Sequence, residues 1–216
     1  MRQPAHSKPE RSSSHDTETL ILQAAEAVFS QKGYFGTTVA DIVERAGVSR
    51  GAFYLYFKNR NEVFSAILAT VVGEMFMLSA SRQSGTPQQR VENANRTYME
   101  MFYRHRAFMR SVIQVATFDT EVAETLNELR AKFINRVREH IERGVESGKC
   151  HDVDPDIASF LLVIMVEFTS YSWLSFDWQP KSGDFDFDKV VKEASSIWSR
   201  AIYKVPEGDA GSGNET

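Results

Sequence analysis

Apolar side chains recur along this chain at intervals of three and four, the period of one helix face, and not at the alternating positions of a strand. Ile21, Ala24, Ala25 and Val28 open the series, and Phe29 widens the stripe. They predict a helix from about Asp16 to Lys32 that Gly33 stops. Val39, Ile42, Val43 and Ala46 stand at i, i+3, i+4 and i+7, a short helix that Thr38 can cap and Gly47 can end. Ser49 offers a cap to a second short helix. There Phe53 and Phe57 lie one turn apart on one face, and Arg50 and Tyr54 share another. Val48 and Ile42 belong to the same core, and Tyr34 and Phe35 are expected to pack beneath these helices. Asn59 and Glu62 make a near capping box before a stripe of Phe64, Ile67, Leu68, Val71, Val72 and Met75. That helix, through about Ala80, is long enough to pass from a first unit into a second.

The rest keeps the same period. SRQSGTP at 81–87 reads as a loop, with Pro87 at a helix start. A helix over 88–104 carries Val91, Ala94, Tyr98, Met101 and Phe102, and RHR at 104–106 interrupts it. Phe108, Met109, Val112, Ile113 and Val115 predict a shorter one. Val122, Leu126, Leu129, Phe133, Val137 and Ile141 mark a one-sided helix ending near Gly144 to Gly148. Asp154 and Pro155 start the next, in which only Ser159 and Glu167 are polar between Ile157 and Phe168. Its clean apolar run of about ten residues falls short of the ~20 that a membrane span needs, so no membrane partner is expected. A helix apolar all round is better buried by its own core and by a second subunit. After a loop at 181–188, Ala194, Ile197, Trp198, Ala201 and Ile202 give the last helix. The expected fold is all-α with about nine helices. Residues 1–15 form a disordered arm, 16–62 a three-helix domain, 63–204 a second helical domain and 205–216 a disordered tail.

Composition changes this picture little. Contents of 42% hydrophobic and 25% charged residues are ordinary for a globular chain of 216 residues. A single cysteine, Cys150, makes no internal disulfide, and the amino terminus lacks the apolar core of a signal peptide. A cytoplasmic protein is expected. The net charge of −4 hides an asymmetry: through Arg60 there are eight Lys/Arg against six Asp/Glu, and beyond it 17 against 23. Only the amino-terminal part has the sign that suits a phosphate backbone.

Two helices meeting at a short turn with a Gly are the pattern of a helix-turn-helix, whose second helix enters the DNA major groove. Arg50 is the only long basic side chain on that second helix. It can bond a guanine edge in two places or hold a phosphate. Gly51 and Ala52 are small where close approach to the duplex matters. Tyr54 and Tyr56 can give hydroxyls to phosphates, although Tyr56 also suits the core edge. Arg11 or Lys8 of the arm can reach a minor groove, with an untethered tail the favoured reading.

The runs ILQAAEAVF at 21–29 and KGYFGTTVADIVERAGVSRGAFYLYF at 32–57 resemble the amino-terminal DNA-binding domain of TetR-family transcriptional regulators. The resemblance implies that Thr38, Ser49, Gly51, Tyr54, Tyr56 and Arg60 contact the sugar-phosphate backbone or bases; family members commonly have Lys where Arg60 stands, which keeps the charge. It implies a homodimeric repressor on a palindromic operator of double-stranded DNA, with the final two long helices forming a four-helix interface. It also implies a ligand-sensing second domain. HRAF at 105–108, EVAE at 121–124 and IWSRAIY at 197–203 are similar in layout to the ethionamide-resistance type of repressor in that family. On that likeness Tyr98, Phe102, Leu126, Phe133, Val163, Glu167, Tyr171 and Trp198 face a pocket for a small lipophilic effector.

The residues alone allow other readings. An aromatic and Met-rich stripe is more often core than cavity wall. Glu167, in an apolar helix, either orients a ligand or pairs with an Arg or hydroxyl across the core, with pairing favoured. A helical carrier of lipophilic compounds without DNA binding remains open, as does an enzyme working through Glu167 or Cys150. The enzyme has little to stand on. Histidines 6, 15, 105, 140 and 151 show no ligand spacing, Cys150 and His151 sit adjacent in a loop read as flexible, and no cofactor or metal is expected.

Overall fold

The computed structural model describes residues 14–81, 84–179 and 185–204. Among them are nine α-helices: α1 (Ser14–Lys32), α2 (Val39–Ala46), α3 (Arg50–Tyr54), α4 (Arg60–Ser81), α5 (Pro87–Arg104), α6 (Arg106–Ala116), α7 (Thr120–Glu146), α8 (Pro155–Thr169) and α9 (Phe187–Ile202). The expected all-α architecture is found. Of the arm expected over 1–15, Ser14 and His15 begin α1, and the remainder, with Lys8 and Arg11, lies outside the described residues, as does the tail over 205–216. The chain divides into two compact units inside α4, between Ile67 and Leu68.

The first unit is built on an aromatic cluster. The Phe29 and Phe64 rings meet edge to face at 5.0 Å, and Tyr34 meets Phe64 in the same manner at 5.0 Å. The Arg60 guanidinium lies 4.3 Å from the Tyr34 ring centre and donates to the Tyr34 and Thr37 carbonyls at 3.1 and 2.7 Å. This ties the start of α4 to the turn after α1. Phe35 departs from expectation. It is 70% exposed, its ring meeting that of Tyr34 edge to face at 5.4 Å, because consecutive residues of the turn face opposite ways.

In the second unit α5 packs on α9 and α7 on α8. Met99, Val166 and Val191 form one buried cluster, and Ile141, Cys150, Leu162 and Ile202 form another. The helix begun by α8 does not stop where its apolar run ends. It continues through a π-helical segment, Ser170–Ser175, which the sequence did not announce. With that extension Pro155–Ser175, like Arg60–Ala80, is long and apolar enough to cross a membrane by length and composition. Core helices pass that test too. Glu167, inside the first stretch, is paired with Arg130, and the second buries Phe64, Ile67, Leu68 and Val71.

The loop around Cys150 is not a flexible connection. Cys150 is buried, its N–H donates to the Gly144 carbonyl at 3.0 Å, and the segment pairs with the end of α9 in an isolated antiparallel bridge. His151 N–H donates to Ile202 O at 2.9 Å and Lys204 N–H to Lys149 O at 3.0 Å. Gly144 leaves room for this closure, since a Cβ there would overlap the Cys150 sulfur unless it moved. Gly144→Ala is therefore expected to lower stability by about 1 to 3 kcal/mol, as overpacking does. The ~1 kcal/mol of helix propensity that alanine brings is the smaller effect. Denaturant unfolding checks this: an unchanged or raised midpoint would mean that the sulfur swings clear at no cost.

Candidate functional site

Two regions carry chemistry, one in each unit. In the first, Thr38 caps α2 in a full capping box. The Asp41 N–H donates to the Thr38 hydroxyl at 3.2 Å, and the Thr38 N–H donates back to the Asp41 carboxylate at 2.8 Å. Lys32 pairs with the same carboxylate at 2.5 Å. That bond first, then those from Thr38, hold Asp41 well below the usual carboxylate range. Gly47 ends α2 at φ 68°, a left-handed turn open to glycine, and the Val48 N–H closes it on Val43 O at 3.1 Å. Ser49 then caps α3 by accepting from the Ala52 N–H at 3.0 Å.

These caps set how α3 is turned. Phe53 and Phe57 point inward and are fully or nearly buried. Arg50 and Gly51 are exposed, as are Thr38 and Ser49; Tyr54 is 55% and Leu55 83% exposed. Ala52 and Tyr56 are half-buried, so Tyr56 sits at the core edge. Val48 is half-buried, not a full core residue. Leu55 is an apolar side chain held in solvent next to Tyr54. Arg60 differs from the other candidates: its guanidinium already serves two backbone carbonyls of the unit.

In the second unit a cavity of about 190 Å³ lies between α5, α7, α8 and α9. Tyr98, Phe133, Val163 and Trp198 line it, four of the eight residues expected to do so. The other four do not. Phe102 is buried in the core. Leu126 lies two turns, about 10 Å, before Phe133 along α7 and packs elsewhere. Tyr171 belongs to the π-helical segment, its ring against Phe176 at 5.1 Å. Glu167 is consumed by Arg130, which donates to its two carboxylate oxygens at 2.7 and 2.6 Å. Burial, and next the Glu167 charge, push the Tyr98 hydroxyl up, so it stays protonated on the cavity wall.

The wall also holds polar residues that sequence reasoning passed over. Arg136 stacks on Phe76 and Phe133 and donates to Phe76 O and the Ser79 hydroxyl at 2.8 and 2.9 Å. Asn95 donates to the Ser195 hydroxyl at 3.0 Å, joining α5 to α9. His140 Nε2 lies 2.8 Å from the Tyr203 hydroxyl, which burial and then Cys150 push up to about 12. A signal existed: Phe133, Arg136, Val137, His140 and Gly144 repeat at three and four, so the polar members share a face with the apolar ones. Cys150, the imagined nucleophile, is buried, and burial raises its thiol above the ordinary value.

Comparison with known proteins agrees with this layout. Residues 21–67 match the family model described as bacterial regulatory proteins, tetR family, and residues 84–200 match that of the tetracyclin repressor-like C-terminal domain. The chain is 28% identical to the HTH-type transcriptional regulator YhgD of Bacillus subtilis over 82% of its own length and 91% of that protein. It is 27% identical to the HTH-type transcriptional regulator EthR of Mycolicibacterium smegmatis, over 97% of each. A crystal structure of a TetR-family transcriptional regulator from Mesorhizobium loti superposes with a TM-score of 0.72 at 16% identity, covering 90% of this chain and all of that one.

The Arg130–Glu167 pair should behave as a structural clamp. The two side chains are 22% and 14% exposed. Removing either alone leaves a poorly solvated charge, so Glu167→Ala and Arg130→Ala are each expected to cost about 1 to 3 kcal/mol, short of the ~3 to 5 of a fully buried pair. The double variant should cost clearly less than the sum. Chemical denaturation of all four proteins checks this, and additive losses would mean that the pair contributes nothing as a pair.

Proposed function

The chain belongs to the TetR family of bacterial regulatory proteins and is a transcriptional regulator, and from that premise we propose a repressor that binds a palindromic operator as a homodimer and releases it to a small lipophilic effector. The operator contacts are Thr38, Ser49, Arg50, Gly51, Ala52, Tyr54 and Tyr56. What supports them is the division of α3: buried rings on one side, and Arg50 with Tyr54 on the other. Such a helix can enter a major groove without disturbing its own core. Arg60 is the weakest of the expected contacts, because its donors are in use within the unit. Leu55 joins the set as an apolar group able to meet a thymine methyl.

The exposed apolar side chains Ile157, Phe160, Leu161 and Phe168 of α8 and Ile197 of α9 support the dimer. An apolar face of that kind on a helix pair suits an isologous four-helix interface. Two recognition helices then stand about one DNA turn, ~34 Å, apart. The cavity beside Tyr98, Phe133, Val163 and Trp198 takes the effector. Helix α4 has buried side chains on both sides of the unit division, Phe64 and Ile67 before it and Leu68 and Val71 after. An effector that prefers the state with misplaced recognition helices shifts the population off the operator, and by linkage DNA weakens the effector equally. Acting on DNA, the protein works in the cytoplasm and needs no catalysis.

Fluorescence anisotropy with duplexes from the DNA flanking its own gene tests this. Salt-sensitive binding by a dimer is expected. Arg50→Ala and Tyr54→Phe should weaken it while leaving stability within about 0.5 kcal/mol, as surface changes do. Leu161→Asp should yield a monomer by sedimentation and lose the operator. Effector uptake by a protein that ignores every duplex would instead favour a carrier.

A further inference from the structure

Resting on the reading of the second-unit cavity as an effector site, we propose that the effector is an amphiphile with an anionic head: its apolar tail lies in the cavity and its carboxylate or phosphate at the mouth made by Arg90, His140 and Arg143. The cavity and a wider groove of about 810 Å³ share Arg90, His140, Arg143 and Tyr203, so one opens beside the other. The two ends differ in chemistry. Val91, Phe133, Val163, Val166 and Trp198 give the cavity an apolar stretch of wall, whereas Lys149 and Lys204 add two further cations to the groove. Among the described residues, no Asp or Glu lines either space.

That imbalance is local, since the chain as a whole is acidic at −4. Gathering four cationic side chains around one concavity costs mutual repulsion, and an anion placed among them relieves it. Two of them have capacity to spare. Arg143 meets Glu139 only at 4.0 Å in an exposed pair, an arrangement that holds a side chain weakly. Arg90 donates one bond, to the Gly85 carbonyl at 3.2 Å, which leaves most of its fork of N–H groups for a ligand. Arg136 is different: it spends its donors on Phe76 O and Ser79 and its face on two rings, so it belongs to the wall. The Tyr203 hydroxyl, 2.8 Å from His140 Nε2, holds that imidazole at the mouth. A neutral lipophile would fill the cavity and leave this charged rim unused.

Calorimetric titration of the full chain with dodecanoate, dodecyl phosphate and dodecanol, below their micellar concentrations, separates tail from head. At low salt at least one of the two anions should bind about tenfold or more tighter than the alcohol, with the gap narrowing as salt rises and screening shortens toward ~3 Å at 1 M. Which anion wins tells a carboxylate source from a phosphate one. Arg90→Ala combined with Arg143→Ala should bring the anions down to the affinity of the alcohol and leave the alcohol unchanged; unaltered helix content and melting point would exclude misfolding as the cause. If dodecanol binds as tightly as both anions, or the double variant weakens all three alike, the head-group inference is wrong while the cavity reading stands. If the wild-type protein takes up none of them, both fall together.

Discussion

A carboxylate set inside an apolar helix must find a cation, and the second unit is arranged around that requirement. Glu167 sits near the end of α8, where nothing in its own helix answers its charge, and Arg130 reaches it from α7 with two parallel N–H donors. Fork-to-carboxylate geometry fixes distance and rotation together, so the pair locks the two helices in register. The same two helices supply Phe133 and Val163 to the cavity wall. Its shape therefore depends on an ion pair that does not line it. Tyr98 feels both partners, which extends the electrostatic influence of the clamp to the wall itself.

The first unit meets a similar demand with backbone carbonyls. Arg60 lies on the Tyr34 ring and donates to two carbonyls of the turn between α1 and α2. A residue expected to face a phosphate thus secures the platform on which α3 stands. The caps at Thr38 and Ser49 complete that platform by satisfying the first donors of two short helices. Helices of eight and five residues have little stability alone, and they hold their orientation because caps and buried rings decide it. The presentation of Arg50 and Tyr54 is set by the caps and by Phe53, which is buried and meets the Tyr54 ring edge to face at 5.3 Å.

The cavity and its rim join two ordinary properties of amphipathic helices. The cavity lies where α5, α7, α8 and α9 converge, and polar residues of α5 and α7 meet the end of α9 around it. Apolar depth beside a basic margin arises from the borders of the helix faces together with the segment after α7 that carries Lys149. The closure of Lys149 and Cys150 onto Tyr203 and Lys204 holds that margin together. Gly144 permits it by leaving room for the Cys150 sulfur.

Helix identity, order and most boundaries were legible because they rest on local rules: a three-to-four period, a cap, a glycine in a left-handed turn. The helix-turn-helix was readable for the same reason, since one face of α3 is apolar and the other is not. What sequence left undecided lies where neighbours distant in the chain compete for one side chain. Glu167 could have served a ligand until Arg130, 37 residues earlier, was seen beside it. Phe102 and Leu126 share their helix faces with true wall residues, and only packing decides which position on a face meets a void. Arg90 stands on α5 and His140 with Arg143 on α7, and the fold alone brings them to one opening. Periodicity assigns a residue to a face, whereas burial, pairing and enclosure belong to the space between faces, which exists only once the helices have docked.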